Sequence, residues 1–283
     1  MTGGNREEIE RILAQAGDPE SDIDSRILTE ELDGEALETA VRRRASGEPL
    51  AYILGHRHFY REDYRVAPGV LIPRADSELL VESALQYLGL LDMAIGDISK
   101  IHSAGKDRVH FADICTGTGC IGISLANEIL RKGLAVTGIL TDISSIALDI
   151  AADNADNCCN DPDCIEVIKH DILTERLTGS FDLIVSNPPY ITDQEMKELG
   201  RDVADYEPSL ALSGGSDGLK FYGTIFARAY DVLVSGGAVM VEHGYLQGEA
   251  VRKLCEEAGF EGIMTLKDYG GNDRVTAGFK NAG

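Results

Sequence analysis

Basic residues are scarce in this chain. Its 283 residues hold 26 Lys and Arg against 48 Asp and Glu, a formal net charge of −22, and the sequence pI is about 4.6. Proteins that grip duplex nucleic acid release counterions with a basic face. The one basic cluster here is Arg42-Arg43-Arg44, expected to be a solvated helix face, so no direct grip on nucleic acid is expected. The acidity itself speaks to solubility and association, not to fold. Cysteines are also few. There are six, and no two stand as CxxC. Cys158, Cys159 and Cys164 fall in NCCNDPDC with no histidine-rich partner nearby, so no metal is expected and the segment reads as a surface loop. Scattered thiols suit a reducing compartment. No apolar run approaches the ~20 residues of a membrane helix, and MTGGNREEIE lacks the basic-then-apolar pattern of a signal peptide. The expectation is a soluble, cytoplasmic protein. Its 43% apolar content is enough for a real core, and the length suits one large domain with a small one.

Three regions are expected along the chain. Residues 1–48 carry three short amphipathic patterns, REEIERILAQAG, SDIDSRILTEELDG and GEALETAVRRRASG, each closing on glycine. They predict a small helical bundle, either a packing appendage or a docking module. Residues 49–77 shift to aromatic and β-branched residues around a charged turn at Arg61-Glu62-Asp63. They predict a β-hairpin linker from Leu50 to Ile72. Residues 78–283 alternate strand and helix signals, with strands expected at RVHFADI, AVTGILTDI, CIEVIK, FDLIVSN and GAVMVEH. The end, EGIMTLKDYGGNDRVTAGFK, reads as a hairpin around Gly270-Gly271. Alternation of this kind predicts an α/β fold, a doubly wound, mostly parallel sheet with helices on both faces.

Two features then point to a ligand. The first expected strand runs into ADICTGTGCIG, where Gly117, Gly119 and Gly122 make GxGxxG between a strand and a helix. Glycines there allow a tight turn and close approach of a ligand to the backbone. Asp142 ends the second strand, in LTDIS, where a carboxylate can accept both ribose hydroxyls of an adenosine. The plainer reading is a glycine turn kept for packing, with Asp142 capping the next helix. An adenosine-containing cofactor is the sharper reading, and these features alone do not separate NAD from S-adenosyl-L-methionine.

The stretch SNPPY separates them. It follows the apolar run FDLIV, so Asn187 leaves its strand at the same sheet edge, where doubly wound folds bind ligands. Proline has no N–H and a fixed φ, so Pro188-Pro189 make a stiff exit with exposed carbonyls. A planar amide or aromatic amine is a poor nucleophile. Acceptors on its two N–H groups, the Asn187 side-chain oxygen and the Pro188 carbonyl, would orient it and favour charge build-up on nitrogen as it attacks a methyl group. Tyr190 can stack on its flat face. A sulfonium donor needs no strong general base, which favours S-adenosyl-L-methionine. His56, His58, His110 and His243 are therefore expected to be structural, and Tyr222 and Tyr245 packing residues.

The constellation resembles class I methyltransferases that act on amino groups, and among them the HemK/PrmC family. The residues that carry the resemblance are the linker HFYREDYRVAPGVLIPR, VSNPPYI, YEPSLALSGGSDGLKFY and the terminal KDYGGNDRVTAGF, so it spans nearly the whole chain. The resemblance implies a seven-stranded sheet. It implies methyl transfer to the glutamine of the Gly-Gly-Gln loop in peptide chain release factors, with the N-terminal bundle helping to hold the factor and the enzyme acting as a monomer. It also implies cofactor contacts at Cys115, Thr116, Gly117, Thr118, Gly119, Asp142, Asp171, Ile172 and Asn187. Asn187, Pro188, Pro189 and Tyr190 would form the glutamine pocket, with Asn187, Pro188 and Tyr190 catalytic. Glu207 and Pro208 would shape the loop over that pocket. The family's usual glycine is replaced by Cys115, which holds such a turn if its φ is negative. Its Pro-Arg-Pro-Glu-Thr-Glu linker reads Pro73-Arg74-Ala75-Asp76-Ser77-Glu78 here, and Ile172 stands where some members carry an aromatic. Two other substrates fit the same chemistry: a glutamine of a ribosomal protein, and an exocyclic amine of adenine or guanine in nucleic acid. The second would require base flipping and a phosphate grip. A non-catalytic adaptor would have been free to lose the glycines, Asp142 and Asn-Pro-Pro-Tyr.

Overall fold

The computed structural model describes residues 6–91 and 107–281. Helices α1 (Arg6–Gln15), α2 (Ser21–Glu31) and α3 (Gly34–Ala45) close on Ile9, Leu13, Leu28, Leu37, Ala40 and Val41. The three patterns are thus helices, with two differences. Helix α2 stops at Glu31, and Gly34 opens α3 instead of closing α2. The Arg42-Arg43-Arg44 cluster is not simply solvated. Arg44 is 11% exposed and reaches Asp18 at 2.7 Å and Asp24 at 2.5 Å, because its long stem lies over the bundle and its fork finds two sunken carboxylates. Burial lifts the Asp24 carboxyl to about 6 despite that arginine.

The linker also differs from expectation. Its first apolar residues form a short helix, α4 (Leu50–Leu54), which Gly55 ends in the left-handed conformation at φ 85°. The hairpin is confined to β1 (His56–Phe59) and β2 (Glu62–Arg65). Its turn is Tyr60-Arg61, one residue earlier than the charged triplet suggests, since Phe59 pairs with Glu62. A two-residue connection calls for positive φ, and Tyr60 adopts φ 60°.

The main sheet has seven strands. In chain order they are β3 (Arg108–Ile114), β4 (Ala135–Asp142), β5 (Ile165–Lys169), β6 (Phe181–Ser186), β9 (Leu233–Glu242), β10 (Glu261–Lys267) and β11 (Asp273–Phe279). Their order across the sheet is β10-β11-β9-β6-β3-β4-β5. From β5 to β9 every pairing is parallel, and β11 is antiparallel to both β9 and β10. This is the doubly wound, mostly parallel seven-stranded sheet expected. Alternate residues take opposite faces. Val109, Phe111, Leu183, Val185, Ala238 and Met240 meet α5 (Glu78–Tyr87) and α6 (Cys120–Arg131) on one face. Ala112, Ile114, Ile184, Val239 and Val241 meet α10 (Tyr222–Val232) and α11 (Gly248–Glu257) on the other. Helix α7 (Ser145–Cys158) packs against β4, β5 and β2. The terminal hairpin turns at Gly270-Gly271, held by the Gly271 N–H on the Asp268 carbonyl at 2.9 Å.

NCCNDPDC is not a surface loop. Cys159 and Cys164 are buried in the larger core cluster, their sulfurs 4.0 Å apart. Two small apolar side chains five residues apart are drawn inward, while Asn160, Asp161 and Asp163 face water. Among the described residues no group of three or more His, Cys, Asp or Glu could hold a metal, and no helix is long and apolar enough to cross a membrane. Beyond β6 the chain makes β7 (Ile191–Thr192), α8 (Arg201–Ala204), α9 (Ser209–Leu212) and β8 (Ser213–Gly215), the two short strands pairing in parallel.

Candidate active site

The carboxyl ends of β3, β4, β5 and β6 open on one cavity. Cys115, Thr116, Gly117, Thr118, Asp142, Asp171, Ile172, Asn187 and Pro189 line it, with Ile143, Leu210 and Phe221 adding apolar surface. Gly119 is outside the lining. It starts α6 with φ 82°. A second cavity adjoins the first and is lined by Pro188, Tyr190, Ile191, Leu199, Val203 and Leu212. Leu71, Arg74, Asn187 and Ala211 line both, so they form the shared wall.

The glycine loop owes its shape to backbone conformation. Gly117 and Gly119 have φ 57° and 82°, the left-handed region that glycine enters freely. Gly122 is different. A Cβ there would meet Leu140 Cδ2 at 2.9 Å and Asp113 Oδ2 at 3.1 Å, so the third glycine serves close helix–strand packing. Cys115 has φ 60°, against the negative value on which an unstrained cysteine turn depends. A non-glycine residue there carries strain of about 1–2 kcal/mol. Its thiol is pushed up by burial and by the Asp142 and Asp113 charges, so it stays neutral.

The two expected acids sit in contrasting settings. Asp142 Oδ2 accepts the Gly117 N–H at 3.0 Å and Oδ1 the Ser144 N–H at 2.9 Å. Burial raises its carboxyl, and those amides oppose the rise. Asp171 accepts from the Thr174 hydroxyl at 2.8 Å and the Leu173 N–H at 3.0 Å. Those bonds hold it below the usual carboxylate range. Ile172 is buried beside it.

Asn187 donates its Nδ2–H to Ser77 Oγ at 3.0 Å, a residue 110 positions earlier. The Tyr190 hydroxyl donates to Glu242 Oε1 at 3.4 Å, and its backbone carbonyl accepts from Gln247 Nε2 at 2.9 Å. Glu207 is buried. It accepts the Ile72 N–H at 3.3 Å and an ion pair from Arg74, which ties the segment after Tyr190 to the linker. Pro208 lines the first cavity.

Four residues escaped the sequence reading as site residues. Asp113 is fully buried, accepts from Thr116 Oγ1 at 2.7 Å and the Gly122 N–H at 3.1 Å, and burial lifts it to about 7. Glu242 is likewise lifted by burial to about 7. Each is an acid at the carboxyl-terminal end of a core strand, among buried apolar residues, and that was the available signal. Ser77 and Arg74 stood in the Pro73–Glu78 linker motif but were not marked as site residues, because only the fold brings Ser77 to Asn187 and Arg74 to Glu207. Of the side chains expected to pack, Tyr222 is buried, donating to the Glu242 carbonyl at 2.9 Å, while Tyr245 is 57% exposed. It follows a tight Gly244 turn that points it outward. His243 is buried between the Gly244 carbonyl and Thr276 Oγ1, and burial lowers its pKa. His56 and His58 pair at the surface with Glu31 and Asp63.

Comparison with known proteins bears on this site. The methyltransferase small domain family model matches residues 98–205. The chain is 36% identical over 250 residues to the release factor glutamine methyltransferase of Haemophilus influenzae, covering 86% of this chain and 80% of that one. With the protein of the same name from Yersinia pestis it shares 39% over 242 residues, 86% and 79% of the two chains. With that of Fusobacterium nucleatum it shares 37% over 253 residues, and there the chain spans only 65% of its relative's length. Identity at this level over most of both chains places the protein: it belongs to the release factor glutamine methyltransferase family and is an S-adenosylmethionine-dependent methyltransferase.

Proposed function

We propose that this chain transfers a methyl group from S-adenosylmethionine to the side-chain amide nitrogen of the glutamine in the Gly-Gly-Gln motif of peptide chain release factors. The observation that carries this reading is the position of Asn187 on the wall between two adjoining cavities. The first cavity fits the cofactor. It offers an apolar slot from Ile143 and Ile172, the carboxylates of Asp142 and Asp171, and a left-handed turn at Gly117 where backbone can come close to a ligand. When bound, the cofactor supplies an electrophilic methyl on a sulfonium. Asp142 would hold its ribose, and Cys115 to Gly119 would cradle it through their backbone.

The second cavity would take the glutamine. Asn187 gives its Nδ2–H to Ser77, so the group it turns to a substrate is Oδ1. Oδ1 accepts one hydrogen of the glutamine amide and the Pro188 carbonyl accepts the other. Two acceptors fix the amide plane and favour the positive charge that develops on nitrogen. Tyr190 walls the flat face of the amide. As the amide nitrogen bonds to the methyl, the methyl–sulfur bond would break with its electron pair left on sulfur as a neutral thioether, and the displaced N–H proton would pass to water at the cavity mouth. Arg74, on the wall the two cavities share, is held by its ion pair with buried Glu207.

Residues 1–48 would act as a docking bundle for the release factor, residues 49–77 as the linker and residues 78–283 as the catalytic domain, in a cytoplasmic monomer. A ribosomal-protein glutamine would satisfy the same chemistry. A nucleic-acid amine is disfavoured by the charge of −22. The test incubates the protein with labelled S-adenosylmethionine and three acceptors: an intact release factor, the same factor with its Gly-Gly-Gln glutamine changed to alanine, and duplex DNA. Label on the intact factor alone is expected. Label on DNA, or equal label on both factors, would overturn the substrate.

A further inference from the structure

Behind the Asn-Pro-Pro-Tyr exit lies a carboxylate that the mechanism above does not use. Glu242 is the last residue of β9, 1% exposed, after four strand positions that are wholly apolar. An ion buried there carries a desolvation penalty of several kcal/mol unless its surroundings answer it. Its surroundings answer it incompletely. Oε1 accepts from the Tyr190 hydroxyl at 3.4 Å, and Oε2 has no hydrogen-bond partner. The Ser77 hydroxyl and the Arg274 charge lie near enough to favour its ionised form.

Ser77 is the link to the reaction. Its Oγ accepts the Asn187 Nδ2–H at 3.0 Å, and it is 2% exposed. A hydroxyl that accepts still has its own proton to give. The acceptor beside it is Glu242. When Glu242 is ionised it can only accept, and that favours one direction for the chain: the Ser77 hydroxyl turned toward Glu242, the Asn187 Nδ2–H given to Ser77, and the Asn187 oxygen left for the cavity. With a partner that could donate, the chain could run the other way. Asn187 would then show its NH2 to a substrate amide that also presents N–H groups.

We propose that Glu242 is a positioning residue for the methyl transfer. Acting through Ser77, it fixes the Asn187 amide with Oδ1 toward the substrate, and through the Tyr190 hydroxyl it steadies the ring that walls the second cavity. The proposal rests on the role assigned to Asn187 above.

The test measures kcat and KM for the release factor, with cofactor affinity by calorimetry, in Glu242→Gln, Ser77→Ala, their double variant and Asn187→Ala. Glutamine keeps the size of Glu242 but can donate. Each single change is expected to lower kcat about tenfold with KM and cofactor Kd within about twofold, and the double change by about the same tenfold, because both break one chain. Independent packing effects would instead multiply, to about a hundredfold, and that result would overturn the proposal. So would a wild-type kcat in Glu242→Gln beside an inactive Asn187→Ala. Wild-type turnover in Asn187→Ala would instead overturn the underlying reading of the site. Should Glu242→Gln fail to bind cofactor, Ser77→Ala carries the test, and an unchanged kcat there contradicts the proposal.

Discussion

The two cavities at the sheet's carboxyl edge are built by different means. The first is made by backbone. Its loop turns through left-handed residues at 115, 117 and 119, and the acid beside it, Asp142, is held by main-chain N–H groups of Gly117 and Ser144. The second is made by side chains from distant parts of the chain. Asn187 leans on Ser77, Tyr190 on Glu242, and Glu207 on Arg74. A backbone site tolerates side-chain change but not a change of chain conformation. A side-chain site can be retuned or broken one group at a time. The difference divides the expected effects: changes in the first cavity should appear in cofactor affinity, and changes in the second in turnover.

The largest effect should come from Asn187→Ala. One acceptor in a preorganised site is worth about 10²–10³ in rate, so kcat should fall by that much in a methyl-transfer assay. Asp142→Ala should act on the other side. It removes a charged acceptor together with the anchor of Gly117, so calorimetry should show cofactor Kd raised about tenfold or more. Equal losses of affinity in both variants would break the division.

Smaller effects sharpen it. Two buried acids, Asp113 and Glu242, have carboxyls raised to about 7. Between the unfolded value of ~4 and 7, the folded chain binds more protons than the unfolded one, so their contribution to stability falls as pH rises through that window. Thermal unfolding midpoints should therefore decline from about pH 5 to pH 7.5. In Glu242→Gln the decline should be shallower, since one of the two groups no longer titrates. The smallest change expected is Cys115→Gly. Relief of about 1–2 kcal/mol of left-handed strain is offset by about 0.5–1 kcal/mol of added chain entropy in the unfolded state. Denaturant titration should find stability within about 1 kcal/mol of the parent, on the favourable side, with cofactor affinity kept.

The same contrast decides what was legible in the sequence. Parallel strands buried on both faces read as apolar runs, so RVHFADI, AVTGILTDI and FDLIVSN led to β3, β4 and β6 within a residue or two. The glycine loop and Asn187 follow directly from where those strands end. LAYIL was misleading because an apolar run of five residues fits a buried strand or one helical turn equally well, and Gly55 decides for the helix. NCCNDPDC looked like a loop because its polar residues outnumber its thiols, yet Cys159 and Cys164 point into the core. Ser77, Arg74 and Glu242 stayed hidden as site residues for a different reason. Their partners lie 110, 133 and 52 residues away, and no local pattern encodes such a pairing.

The most direct test of this division takes Asn187→Ala and records two quantities on one preparation: cofactor affinity by calorimetry, and single-turnover methylation of the release factor. The account predicts affinity within about tenfold of wild type and methylation slower by about 10²–10³. Turnover near wild type, or a loss wholly explained by weakened cofactor binding, would contradict it.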